Sequence, residues 1–312
     1  MAESLVRKLF AGPLDIVGDV HGEIDALRDL LRHLGYAEDG SHPENRRLVF
    51  LGDLTDRGPD SPAVIDLVKQ FVEDGRAQCV LGNHDLNILL GHRKHDNHWF
   101  FGEEWSLDEA PEPTPAVLAD DTIRQNVREF FQTLPLAFER DDLRVVHACW
   151  DDAMIEIARQ HSDAKALYED YKSQIKAALQ RQPELDEHER ELQLQNRNPV
   201  KVLSSGLEKK VDEQYWASGK WRYLDRVHWW KDYRGTQVCV FGHYSMPTDQ
   251  SYSGQKALCV DFAVAKRWQE RTNSKFTGEF QGKLGALRFP ERVVVLDDGS
   301  KTAQALPFDS NG

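Results

Sequence analysis

Cysteine is scarce in this chain of 312 residues: Cys79, Cys149, Cys239 and Cys259 stand far apart, with no CxxC pair among them. Each lies inside an apolar run. They read as buried, reduced side chains of a cytosolic protein, not as a disulfide framework or a zinc knot. Positive charge is also in short supply. Thirty-nine Lys and Arg face 52 Asp and Glu, a formal net charge of −13, and such a surface repels the phosphate backbone of duplex nucleic acid. A local basic cluster could still hold a single phosphate. Long hydrophobic runs are missing too. No stretch approaches the roughly 18 consecutive apolar residues of a membrane span, and the opening MAESLVRKLFAGPLDIVGD lacks the apolar core of a secretion signal. The expectation is a cytoplasmic protein with no membrane contact. Core-forming material is plentiful. A hydrophobic content of 40%, with 8 Trp, 14 Phe and 8 Tyr, excludes wholesale disorder.

The first 90 residues repeat a rhythm of apolar run, Gly-Asp or Gly-Asn turn, and amphipathic stretch. Leu14 to Val17 reads as a strand ending in GDVHGE. Ile24, Leu27, Leu30, Leu31 and Leu34 then follow at helical spacing up to Gly35. Arg47 to Leu51 is a second strand, ending in GDLTDRG, and Pro62 to Val72 a second helix. Ala77 to Leu81 is a third strand, ending in GNHD. Such units imply parallel strands joined by right-handed crossovers, with every turn emerging at one carboxyl edge. Further strands are expected at 143–146, 238–241, 257–260 and within 283–296, and a helix at 121–134. One domain spans 1–312, with a loop-and-helix insertion at 92–135 and a mostly helical cap at 152–234.

The strand ends deliver a consistent set of side chains: Asp19 and His21; Asp53, Asp56 and Arg57; Asn83, His84 and Asp85; His147; His243. Singly, a His after a strand is usually a surface residue, and an Asp there a turn or cap residue. Jointly, carboxylate, imidazole and amide oxygen form a donor set for borderline divalent cations, without the thiolates that softer metals prefer.

Asp19-Val-His21-Gly, Gly52-Asp-Leu-Thr-Asp-Arg-Gly58, Gly82-Asn-His-Asp85, His147 after a strand and Gly242-His243 resemble the five ordered motifs of the calcineurin-like metallophosphoesterases. The GDxHG…GDxxDRG…GNHD form is similar to the branch holding serine/threonine protein phosphatases, bacteriophage-type phosphatases and symmetrical diadenosine tetraphosphatases. The match covers 14–90, 143–150 and about 236–297. The resemblance implies an α/β fold of two packed mixed sheets flanked by helices, in four layers, with a dimetal site at the sheet edge. It implies that Asp19 and His21 bind a first metal, that Asp53 bridges both, and that Asn83, His147 and His243 complete the second. The two divalent ions would be Mn first, with Fe, Zn, Ni or Co also suited. Asp56 would orient His84 as the proton donor, and Arg57, with Asn83, would meet the phosphate. The expected activity is hydrolysis of phosphate monoesters by metal-activated hydroxide, on phosphorylated protein or small esters. A symmetrical bis(5'-nucleosyl)-tetraphosphatase is the alternative, and a non-catalytic scaffold or sensor the remote one. Where many relatives carry GHxH this chain has Gly242-His-Tyr-Ser245, which favours the protein-phosphatase-like branch. Asp85 stands where protein phosphatases have Glu. Asp261 precedes Phe262 and Ala263 where the tetraphosphatases read Asp-Thr-Gly.

Specificity should come from the insertions. Arg234, just before the strand at Val238, is a candidate second phosphate clamp. The aromatic stretch from Tyr215 to Gly235 offers either a base-stacking surface or packing of the insertion on the core through Trp216, Trp221, Trp229 and Trp230. His92, His95 and His98 read as solvated loop histidines. The residues do not set an oligomeric state.

Overall fold

Strands apolar on both faces need cover on both sides, and two sheets packed back to back with helices outside supply it. The computed structural model describes residues 3–94, 96–102, 116–217, 220–248 and 256–302. The order is β1 (Val6–Lys8), β2 (Leu14–Val17), α1 (Ile24–Leu34), β3 (Arg47–Phe50), α2 (Ser61–Glu73), β4 (Ala77–Cys79), α3 (Asn83–Leu89), α4 (His98–Phe101), α5 (Asp121–Thr133), β5 (Ala137–Glu139) and β6 (Leu143–Val146). Four helices follow: α6 (Asp152–Arg159), α7 (Ala164–Leu179), α8 (Glu187–Asn196) and α9 (Pro199–Ser205). A hairpin of β7 (Glu208–Ala217) and β8 (Lys220–Arg226) precedes β9 (Val238–Phe241), β10 (Ala257–Cys259), α10 (Arg267–Thr272), β11 (Gly285–Phe289), β12 (Val293–Leu296) and β13 (Lys301–Thr302).

One sheet runs β13-β12-β11-β2-β3-β4, the other β1-β5-β6-β9-β10. β2, β3 and β4 are mutually parallel, as are β6, β9 and β10, while β11 and β5 pair antiparallel with β2 and β6. Both sheets are therefore mixed, as expected. Alternate residues face the gap between them. Leu14, Ile16, Val49, Leu51, Leu287 and Phe289 from one sheet meet Leu143, Val145, Val238, Val240, Leu258 and Val260 from the other in one cluster. The intervening residues, Val17, Leu48, Phe50, Cys239 and Phe241, join the helices in a second cluster. All four cysteines are free and buried in these layers, and among the described residues no helix is long and apolar enough to cross a membrane.

The helix expected after the second strand is held by capping. Asp60 accepts from the Ala63 amide, with Pro62 in the first turn. α1 ends on Gly35 at φ 95°, a left-handed cap that favours glycine.

Three readings change. β1 and β5 are strands of three residues that carry no legible alternation, and they pair in parallel at the sheet's edge. The 152–234 region is helical only to Ser205. Beyond it a two-stranded antiparallel hairpin takes the place of helix, because the aromatic and charged residues flanking Ser218-Gly219 suit a ribbon better than a helix. The loop from His92 carries the short helix α4, while His95 and residues 103–115 lie outside the described residues.

Candidate metal centre

The carboxyl ends of β2, β3 and β4 in one sheet and of β6 and β9 in the other open at a common rim. Each strand gives way to a tight turn before its helix has formed, so the side chain just past the strand projects over the edge. Six of the ten non-glycine residues with positive φ among those described lie in these turns: His21, Asp53, Asp56, Arg57, His243 and Ser245. Backbone held in that region concentrates at functional sites. Glycines allow the loops to close together. A Cβ on Gly82 would stand 2.2 Å from an oxygen of Asp53, and one on Gly242 would stand 2.1 Å from an oxygen of Asp19.

The structure brings Asp19, His21, Asp53, Asn83, His147 and His243 together, with the Asp and His residues all buried. Asp53 lies at the centre. Its Oδ2 is 3.8 Å from His21 Nε2 and 3.4 Å from His147 Nε2. Two groups of potential ligands share it: His21, Asp53 and His84, and Asp53, His147 and His243, with ligand atoms within 4.8 Å of one another. Asp19 is 3.9 Å from His21 Nε2 and accepts from the His243 amide. Backbone carbonyls set two of the imidazoles. His21 Nδ1 donates to Thr55 O at 2.9 Å and His147 Nδ1 to Leu51 O at 2.6 Å, which turns each Nε2 toward the rim. Asn83 Oδ1 faces His243 Nδ1 at 2.7 Å and His147 Nε2 at 3.3 Å. Turning that amide over would instead donate its NH2 to Asp53, His147 and His243. The gap is lined by acceptors that need either a donor or a cation between them, and oxygen and nitrogen donors without sulfur fit a borderline divalent ion.

The electrostatics reflect the same crowding. Burial drives the Asp19 carboxyl well above its usual range, helped by the nearby charge of Asp261. Burial acts the same way on Asp53, but the imidazoles of His147 and His84 outweigh it and hold Asp53 well below the usual value. His147 is opposed by burial yet pushed up to about 10 by Asp53. Burial takes His21 down to about 4, assisted by the charge of Arg57.

Beside the rim, His84 Nδ1 donates to Asp56 Oδ2 at 2.6 Å, the pairing expected from the sequence. The other oxygen of Asp56 accepts from the indole of Trp99 at 2.7 Å. Trp99, in α4, is buried and was not singled out, since an indole inside a poorly periodic loop gives no signal of its own. The sequence sets Asp85 among the strand-end side chains and marks it as a departure, without giving it a role. It is fully buried and accepts from Leu54 N, Thr55 Oγ1 and Gly82 N, tying the turn after β3 to the turn after β4. Asp261 accepts from the amides of Ser245 and Ala263 and so braces the turn that carries His243.

Arg57 reaches the rim, where its Nε lies 3.5 Å from Asp96 and not from Asp56 or Asp60. Arg234 does not. It stands at the amino end of β9, the end opposite His243, largely exposed and bonded to the carbonyls of Lys231 and Tyr233. Four residues of strand separate the two ends by about 13 Å, so the clamp assigned to Arg234 is corrected. Trp229 and Trp230 pack against Phe241 in the core, whereas Trp216 and Trp221 are 61% and 53% exposed on the hairpin. Packing on the core thus holds for Trp229 and Trp230 and not for Trp216 and Trp221. His92 and His98 are half-buried, not solvated, with His92 against the Tyr168 ring.

Known proteins are similar to this chain. A bis(5'-nucleosyl)-tetraphosphatase PrpE [asymmetrical] of Anoxybacillus flavithermus is 28% identical over 287 residues, covering 90% of this chain and 92% of that one. The Bacillus cereus strain Q1 protein of the same name is 27% identical over 306 residues, covering 94% and 95%. Among solved structures, the cold-active protein-tyrosine phosphatase of a psychrophilic Shewanella superposes with a TM-score of 0.54 at 18% identity, over 96% of this chain and 82% of that one. That likeness extends to the fold. The family description "calcineurin-like phosphoesterase" matches residues 12–273, a span that contains all six rim side chains. On the fold, the rim and this match together, the chain belongs to the calcineurin-like phosphoesterase family.

Proposed function

We propose that this enzyme, a metal-dependent phosphate ester hydrolase by family, acts on dinucleoside polyphosphates, with Asp19, His21, Asp53, Asn83, His147 and His243 holding two divalent ions, manganese foremost. The observation that carries the metal assignment is the sharing of Asp53 between two ligand groups. A divalent pair held there supplies Lewis acidity, neutralising phosphate charge and making water acidic enough to attack. The protein's own residues supply the rest. Arg57 presents a planar fork to phosphate oxygens. The imidazole of His84, bonded through Nδ1 to Asp56, would give a proton to the leaving oxygen. Burial of the rim excludes bulk water and strengthens each of these interactions.

The substrate reading leans on the whole-length relatives, whose names state asymmetrical hydrolysis of bis(5'-nucleosyl) tetraphosphates. The motif forms alone favoured phosphomonoesters, and the symmetrical tetraphosphatases as the alternative. Phosphomonoester hydrolysis on protein stays as the second reading, because Ser245 stands where the GHxH form of other branches carries a second imidazole. The test is a hydrolysis panel on manganese-reconstituted protein: diadenosine tetraphosphate, nucleoside triphosphates, and phosphoserine, phosphothreonine and phosphotyrosine peptides. Preference for the tetraphosphate, with a nucleoside triphosphate and monophosphate as products, is expected. A preference for phosphopeptides would reverse the assignment.

A further inference from the structure

A helix of six residues does not hold itself together in water, yet α10 is fixed from several sides. Arg267 donates to Asp297 and to the carbonyl of Gly282. Glu270 accepts from the amides of Gln281 and Gly282 at 2.7 and 3.0 Å. Arg271 meets the buried carboxylate of Glu23 with both terminal nitrogens. Glu23 stands two residues after His21, so this fork fastens α10 to the turn that carries Asp19 and His21. Trp268 lies three positions before Arg271, on the same side of the helix.

The indole of Trp268 meets the site at a shallow cleft, walled also by Arg57, Gly58, Asp96, His98 and Trp99. Three of these walls belong to the rim. Arg57 follows Asp56, the partner of His84, and its charge helps to lower His21. A Cβ on Gly58 would stand 2.1 Å from the main-chain oxygen of His21. Trp99 is bonded to Asp56 through its indole nitrogen. The two indoles differ in what they do for the fold. Trp99 is buried in the cluster that joins the helices, whereas Trp268 is half-buried and belongs to neither hydrophobic cluster. An indole that adds nothing to the core, pinned by a buried ion pair beside a phosphate-binding arginine, is placed for a ligand.

The walls select its chemistry. The one carboxylate, Asp96, is already matched by Arg57, so no acid is left to draw a cation. The rings of Trp268, Trp99 and His98 offer flat faces and edges to a flat partner. The enclosed space is about 10 Å³, room for one water, so such a partner lies against the open part of Trp268 at the mouth. A phosphate met by Arg57 brings its ester group to that mouth. In a nucleotide this group is a sugar carrying a base.

We infer that Trp268 is a base-stacking platform that holds the nucleobase nearest the phosphate met by Arg57. The platform rests on the dinucleotide reading above and adds to it the residue that selects a nucleoside. A base anchored one sugar away from the metals puts the phosphate on that sugar under attack, which is asymmetrical cleavage.

AMP and ribose 5-phosphate share phosphate and sugar and differ in the base, so the ratio of their affinities reads the platform. Calorimetry on the manganese-loaded full chain measures both. Trp268→Ala is expected to lower that ratio about tenfold, the worth of one stacked base, and to raise KM for diadenosine tetraphosphate by a similar factor. Trp268→Phe should recover much of both, and matching thermal melts would show that the variants fold. An unchanged ratio in Trp268→Ala, including equal weakening of both ligands, overturns the platform, and continued cleavage of the tetraphosphate then leaves the hydrolase reading intact. A tenfold lower ratio in a protein that prefers phosphopeptides to the tetraphosphate supports the platform and overturns the dinucleotide substrate. A loss confined to phosphotyrosine peptides, with phosphoserine peptides and AMP unaffected, shows that the ring held is a tyrosine and overturns the nucleoside assignment.

Discussion

Asp53 and His84 are 31 residues apart in sequence, yet the amide of one donates to the carboxylate of the other at 2.8 Å. Their roles nevertheless separate. Asp53→Asn removes the shared carboxylate charge, so bound metal by elemental analysis should fall together with activity, which should drop to background. His84→Asn leaves all six proposed ligands in place. Metal content should stay near that of the parent, while kcat falls about 10²- to 10⁴-fold, the usual worth of a positioned proton donor. Trp99 tests the support behind that donor. Trp99→Phe keeps the ring against Phe100 but deletes the bond to Asp56. A loss of about tenfold in kcat with KM unchanged is expected, steeper for poor leaving groups than for p-nitrophenolate. His147 links the rim to pH. With its proton held on up to about 10 by Asp53, it must deprotonate before it can ligate. Metal uptake should therefore release protons, and affinity should fall as the pH is lowered. Calorimetry in buffers of different ionisation enthalpy reads the proton count directly.

At the scale of elements, α2 is the helix that follows the GDLTDRG turn, and its first turn is fixed by Asp60 accepting from Ala63. Asp60→Ala should cost about 1 kcal/mol in denaturant unfolding. Activity should fall little, because Asp56 is held separately through Ser61 Oγ and Trp99. The strongly periodic helices α1, α2 and α5 were legible to within about two residues at their ends. The hairpin was not. A sequence window can measure alternation or helical spacing, but the ribbon of β7 and β8 has a register break between Lys210 and Tyr215 and mixed charge on both strands, so neither period stands out. Strands of three residues, such as β1 at the sheet's edge and β5 beside it, are likewise too short to carry a pattern and exist through their partners.

For the whole molecule, the amino ends of the sheet opposite the rim are secured by a buried charge network. Arg46 donates to Asp15, to the carbonyl of Leu14 and to Glu291, and Arg288 and the Tyr36 hydroxyl complete the shell around Asp15. Arg46→Met would leave Asp15 buried with less compensation. A destabilisation of about 3 kcal/mol is expected by equilibrium denaturation, with metal content unchanged in the folded fraction. The sequence by itself determined which side chains could ligate, because chemistry is carried by residue type and each ligand closes an apolar run. It determined the parallel β-turn-α core for the same reason: burial periodicity is local. Only the tertiary structure decided that Arg234 lies at the wrong end of β9 and that Trp99 completes the Asp56–His84 pair. Those relations join segments far apart along the chain, and distance across a fold is fixed by packing between elements, which no stretch of sequence contains.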